Sequence, residues 1–139
     1  MKLIQLFIFI IFFIAGLTNA QEGTMPTIPP VTRTDLLTAM IASGKTISQI
    51  EIKEVTMGPK VKAPLHLHPC PVVGVITEGA ISFQIEGETV QYLKTGDAFY
   101  EPAHARIARF DNDGEIPAKF AAFYLLGKDE HELIRMLFQ

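Results

Sequence analysis

Apolar residues along this chain change their spacing twice, and each change marks a different kind of segment. From Leu3 to Leu17 they run almost unbroken, after the short positive start Met1-Lys2 and before Thr18-Asn19-Ala20. Between Thr32 and Ser43, Leu36, Leu37, Met40 and Ile41 recur at helical spacing; Thr32 stands where a cap is needed, with Asp35 three residues on. Gly44 follows as a stop, so a short helix is predicted there. Beyond it the period becomes two. Ile50 and Ile52 alternate with Glu51 and Lys53, and Ile81, Phe83 and Ile85 alternate with Ser82, Gln84 and Glu86. Phe120, Ala122 and Tyr124 continue the pattern less cleanly, because Ala121, Phe123 and Leu125 are apolar too. Short strands separated by Gly58, Gly79, Gly87, Gly96 and Asp111-Asn112-Asp113-Gly114 predict an antiparallel, all-β sandwich or barrel. The tail from Asp129 to Gln139 fits either a capped helical turn or a last strand, with strand the preferred reading.

The first apolar run reads as a signal peptide, residues 1–20, cleaved after the small residue Ala20. It is short for a bilayer span, and no charge closes it. An exported chain, periplasmic or secreted, is therefore expected, with no membrane attachment after cleavage. Residues 21–44 then form an arm, carrying Pro26, Pro29 and Pro30, and the short helix; residues 45–139 form the barrel. Cleavage leaves 119 of the 139 residues, enough for one domain. It also removes Lys2 and moves the formal charge from −3 to −4. Nucleic acid and anionic membranes demand a basic surface, so neither is an expected partner. Cys70 is the one cysteine of the sequence, so the core must hold the fold without an internal disulfide.

The chemistry concentrates at His66-Leu67-His68. Positions two apart do not share a helix face. On a strand they do, about 6.6 Å apart along the backbone, and two imidazoles then converge on one metal or ligand.

His66, His68 and Gly79, followed by Gly96 and Pro102 within Gly96-Asp97-Ala98-Phe99-Tyr100-Glu101-Pro102, resemble the two motifs of the cupin superfamily. The resemblance covers most of the exported part and is greatest to small single-domain cupins. It implies a double-stranded β-helix, a jelly-roll barrel with a pocket at one mouth, and a homodimer. Two of the four usual cupin ligands are replaced. The glutamate of the first motif falls on Val72, or on Val73 with the longer spacer. The histidine of the second falls on Ile107, and its glycine on His104. With His66 and His68 alone, a divalent metal (zinc, manganese, iron or nickel) would be weakly held.

Two residues are candidates for a third metal ligand. His104 lies three residues before the family's histidine slot, an odd offset that points it the other way on an extended segment. Cys70 keeps the parity of His66 and His68, but Pro69 and Pro71 bracket it and turn the thiol aside. Phe83, Tyr100, Glu101 and Ile107 are the expected ligand-binding residues, with Glu101 at the rim as an acid or hydrogen-bond acceptor. Phe99 and Tyr100 have opposite parity, so one of them faces the barrel. Arg106 and Arg109 flank Ile107 and are read as a solvated face.

Three functions follow. The first is an exported cupin that binds a small molecule in an apolar pocket, with His66 and His68 at its mouth. The second is a metal-dependent enzyme (dioxygenase, isomerase or decarboxylase) using both histidines and a non-standard third ligand. The third is an interaction module with a decayed site. The sequence has no Gly-x-Ser-x-Gly nucleophile motif.

Overall fold

Nine strands form between Gln49 and Met136 in the computed structural model, which describes residues 31–42 and 44–137. They are β1 (Gln49–Met57), β2 (His66–Leu67), β3 (Val72–Glu78), β4 (Ala80–Ile85), β5 (Gln91–Lys94), β6 (Ala98–Glu101), β7 (Arg106–Asp111), β8 (Ala118–Leu126) and β9 (Arg135–Met136). By contacts the chain divides into two units, Met1–Arg33 and Thr34–Gln139, and all nine strands belong to the second. The expected signal peptide and the proline-bearing arm up to Pro30 lie outside the described residues.

Every strand pairing is antiparallel, in two sheets ordered β1-β8-β3-β6 and β5-β4-β7-β2-β9. This is the antiparallel all-β architecture that the period-two segments predicted, and it fits the jelly-roll barrel that the resemblance implied. Strand β8 shows the alternation in full: Ala118, Phe120, Ala122, Tyr124 and Leu126 are buried, while the residues between them are half-exposed. The inward rows of both sheets meet in an aromatic cluster of Phe83, Phe99, Phe110 and Phe120, with neighbouring ring centroids 4.8–6.1 Å apart. Opposite edge and face potentials favour such tilted contacts. The tail pairs through the two-residue β9, which lies beside β2.

One expected element is corrected. No helix occurs among the described residues, and 31–42 carry no regular structure. A lone helix of about twelve residues is marginal without tertiary support. Leu36, Leu37 and Ile41 instead line a groove with Val73, Val75 and Phe123, the outward residues of β3 and β8. The segment meets apolar sheet surface without coiling.

Two glycines are required by geometry. Gly79 has φ +73° at the β3–β4 turn, and an added Cβ would stand 3.0 Å from the Pro117 carbonyl oxygen. Gly74 pairs directly with Phe99 across β3 and β6. A Cβ on Gly74 would sit 2.2 Å from Cζ of Phe99 and 2.7 Å from the Ala121 carbonyl oxygen. The ring occupies the space that the missing side chain leaves. Gly74→Ala must therefore push Phe99 out of the aromatic cluster, at an expected cost of about 1–3 kcal/mol. Calorimetry should show Tm falling by roughly 4–8 °C for each kcal/mol. An unchanged Tm would mean that Phe99 is free to move.

Candidate metal centre in the barrel

Strand β2 brings His66 inward, and the chain just past its end brings in His68; both rings are 4% exposed. Their centroids lie 5.3 Å apart, edge to face. Each ring is held from behind. Nδ1–H of His66 donates to the Pro64 carbonyl at 2.7 Å, and Nδ1–H of His68 donates to the Leu133 carbonyl at 2.5 Å. With Nδ1 committed to a carbonyl, Nε2 is the atom left to face the barrel, the usual backing of a metal-ligating histidine.

The third group is Glu101, at the end of β6. Its Oε2 lies 3.0 Å from Nε2 of His68, and both side chains are 4% exposed. One ligating atom each from His66, His68 and Glu101 falls within 4.8 Å of the others, and all three residues are buried. Donors that share a metal with bonds of about 2.1 Å stand roughly 3–4 Å apart, so small shifts complete the set. A His₂–carboxylate set suits iron(II), manganese, nickel or zinc.

The electrostatics also fit a cation. Burial favours the neutral form of His66, whose pKa is lowered despite the Pro64 bond. Burial works in the same direction on His68. There the hydrogen bond and negative charge of Glu101 outweigh it, so the pKa is raised. The negative charge of Glu101 beside His68 thus makes this a spot that favours positive charge.

The register explains why the linear motif hid this carboxylate. Val72, the residue in the motif's glutamate slot, pairs directly with Glu101 across β3 and β6. Directly opposed residues point to the same side of a sheet. The acid is absent from the Val72 position of β3 and present directly opposite it on β6. Ile107, in the motif's histidine slot, pairs directly with His66 and is 1% exposed.

The three residues line a cavity of about 250 Å³. Phe99, Phe110 and Phe120 from the aromatic cluster form one wall. Val55, Met57 and Val72 add apolar surface, and Ile134 and Met136 of the tail contribute exposed side chains. Tyr124 of β8 also lines it, its ring 5.6 Å from that of His68. Burial, then the nearby Glu101 charge, raises the pKa of this phenol.

Several expected site residues are placed elsewhere. His66 and His68 are buried in the wall and do not sit at a solvated mouth, and Glu101 is buried with them rather than at the rim. Tyr100 points outward, because Phe99 and Glu101 on either side point in; its hydroxyl donates to the Met40 carbonyl at 3.3 Å. Phe83 packs on Phe99 and Phe110 behind the cavity wall and is not part of the lining. Ile107 is core beside His66 and is also absent from the lining. His104 is exposed, with φ +63°, and only its backbone N–H reaches the site region, at the His68 carbonyl. Cys70 is fully buried outside the lining, its thiol pKa raised by burial and then by Glu130. Neither His104 nor Cys70 joins the cluster of His66, His68 and Glu101. Arg106 and Arg109 face outward, paired with Glu86 and with Asp111 and Asp113. Tyr124 was missed as a site residue; the structure places it on the inner face with Phe120 and Ala122.

A family model described as a cupin domain (Cupin_2) matches residues 53–124, just over half of the chain. The chain belongs to the cupin family. Among solved structures it is similar to an oxalate oxidase in complex with the substrate analogue glycolate, at 18% identity and TM-score 0.56. That match covers 63% of this chain and 46% of that one. It is similar to the DMSP lyase DddQ from Ruegeria pomeroyi at 18% identity and TM-score 0.54, covering 63% and 42% of the two chains. It is also similar to the polyketide cyclase RemF from Streptomyces resistomycificus, at 15% identity and TM-score 0.54 over 71% and 68%. The matched part of this chain spans less than half the length of the first two. At these identities the likeness shows the shared fold. No curated protein matches the chain.

Proposed function

We propose that this cupin is an exported, metal-dependent enzyme that acts on a small molecule bound in the barrel cavity. The observation that carries the reading is the buried His66-His68-Glu101 cluster on the wall of a largely apolar cavity. The three side chains are the residues that would hold one divalent metal. When bound, such a metal polarises an oxygen of the ligand and, as iron or manganese, supplies redox chemistry. The chain does the rest. Pro64 and Leu133 fix the two imidazoles through their carbonyls, and Glu101 adds one negative charge. The aromatic wall keeps water from the reacting end of the ligand, which strengthens each polar contact there.

A carrier that binds without reacting is the second reading. It is favoured by one fact: apart from the three ligands, Tyr124 is the sole titratable residue of the lining among the described residues.

Protein purified without a histidine tag is expected to carry close to one metal per chain by elemental analysis, or to bind zinc or manganese at submicromolar concentration after stripping. His66→Ala should abolish this, leaving a strand-type circular dichroism spectrum. Wild-type protein that neither retains nor takes up metal would overturn the proposal. Export rests on the apolar run and Ala20. Mass spectrometry of the protein from its native host should find Gln21 first; a retained Met1 refutes it.

A further inference from the structure

We infer that the cavity selects a small monoanion, an apolar body bearing one carboxylate-type head, and that the Tyr124 hydroxyl donates a hydrogen bond to that head. This rests on the metal reading above and adds the substrate class.

Charge balance is the first argument. Two neutral imidazoles, one glutamate and a divalent ion leave the loaded centre with a net charge of about +1. Among the described residues the cavity lining holds no Lys or Arg. Of the surface cations, Arg106 is paired with Glu86, Arg109 with Asp113, Lys45 with Glu130 and Arg135 with Glu132. One negative charge on the ligand is therefore matched at the centre. A second would be buried against Phe99, Phe110 and Met57 without a partner, which is costly in an apolar wall.

Size and polarity set the body. At about 250 Å³ the cavity falls below the range of roughly 300–1,000 Å³ that holds drug-sized ligands. A single ring or a short chain fits, and the remaining lining rewards apolar surface.

Tyr124 sets the head. No group among the described residues hydrogen-bonds its hydroxyl, although the residue is only 9% exposed and stands beside His68 in the lining. Fully enclosed polar atoms all have partners here, so this hydroxyl retains open surface. A phenol that is mostly buried in an apolar wall finds a partner when an acceptor enters.

The test compares hexanoate with adipate, which differ by a second carboxylate at the far end, on zinc-loaded protein by titration calorimetry. Hexanoate is expected to bind at least tenfold more tightly. Tyr124→Phe keeps the ring against His68 and should weaken hexanoate about tenfold. Its zinc affinity, measured by competition with a chromophoric chelator, should be unchanged. Ile134→Arg places a cation on an exposed part of the lining and should narrow the hexanoate preference at least threefold. Adipate binding as tightly as hexanoate to zinc-loaded protein overturns the substrate class and leaves the metal reading intact. Hexanoate affinity unchanged in Tyr124→Phe overturns the role of the hydroxyl. Failure to bind zinc overturns the metal reading and this inference with it.

Discussion

Replacing Glu101 with Gln is expected to lower the affinity for zinc and manganese at least a hundredfold while the barrel stays folded. The substitution keeps the shape of the side chain and its place opposite Val72. It removes the negative charge 3.0 Å from His68 Nε2. Losing a hydrogen-bond partner that merely backs a ligand costs about ten- to a hundredfold in metal affinity, so losing one of three ligands should cost more. The readout is thermal as well as calorimetric. Metal at a thousand times its Kd raises wild-type stability by about 4 kcal/mol, and a hundredfold loss of affinity should cut that gain to about 1.4 kcal/mol or less at the same metal concentration. Zinc affinity within threefold of wild type would place the third ligand somewhere other than Glu101.

The barrel could be read from the sequence because its strands advertise a period of two and its turns carry Gly79 and Gly96, both with positive φ. The pairing of His66 with His68 was readable for the same reason, since spacing along one strand decides which face a residue takes. Glu101 was seen as an acid but assigned to the rim. Its burial depends on Phe99 taking the inward place, and parity alone left Phe99 and Tyr100 as equal choices. Packing decides between them: Gly74 leaves a hole across the sheet that fits the Phe99 ring. That is a contact between strands 25 residues apart, which no local pattern encodes. Tyr124 was obscured differently. Strand β8 is apolar on both faces, because its outward residues Ala121, Phe123 and Leu125 are half-buried, so alternation there carries little signal. The helix failed for a third reason. Its apolar spacing was real, but the outward face of β3 and β8 offered Leu36 and Leu37 a surface that an extended chain can reach.

If the carboxylate has moved across one strand pair, moving it back should preserve the site. The double change Val72→Glu with Glu101→Val exchanges the two side chains of a directly opposed pair, so composition, net charge and total side-chain volume are kept. Opposed residues have Cβ atoms about 4.5–5.5 Å apart, within the swing of a glutamate side chain. The carboxylate can thus approach His66 and His68 from β3 as well as from β6. Glu101→Val alone should lose zinc affinity at least a hundredfold, as the glutamine variant does. Val72→Glu alone adds a second buried acid beside the first, and like charges that close should lower Tm in the metal-free protein. The exchanged protein is expected to recover zinc affinity to within about tenfold of wild type. The two changes would then be strongly non-additive, as expected for residues serving one ligand. Circular dichroism and Tm of each variant separate lost binding from lost folding. A folded double variant that binds zinc no better than Glu101→Val would show that β6 does more than supply a carboxylate. The approach of Glu101 to His68, and not only its charge, would then be what defines the centre.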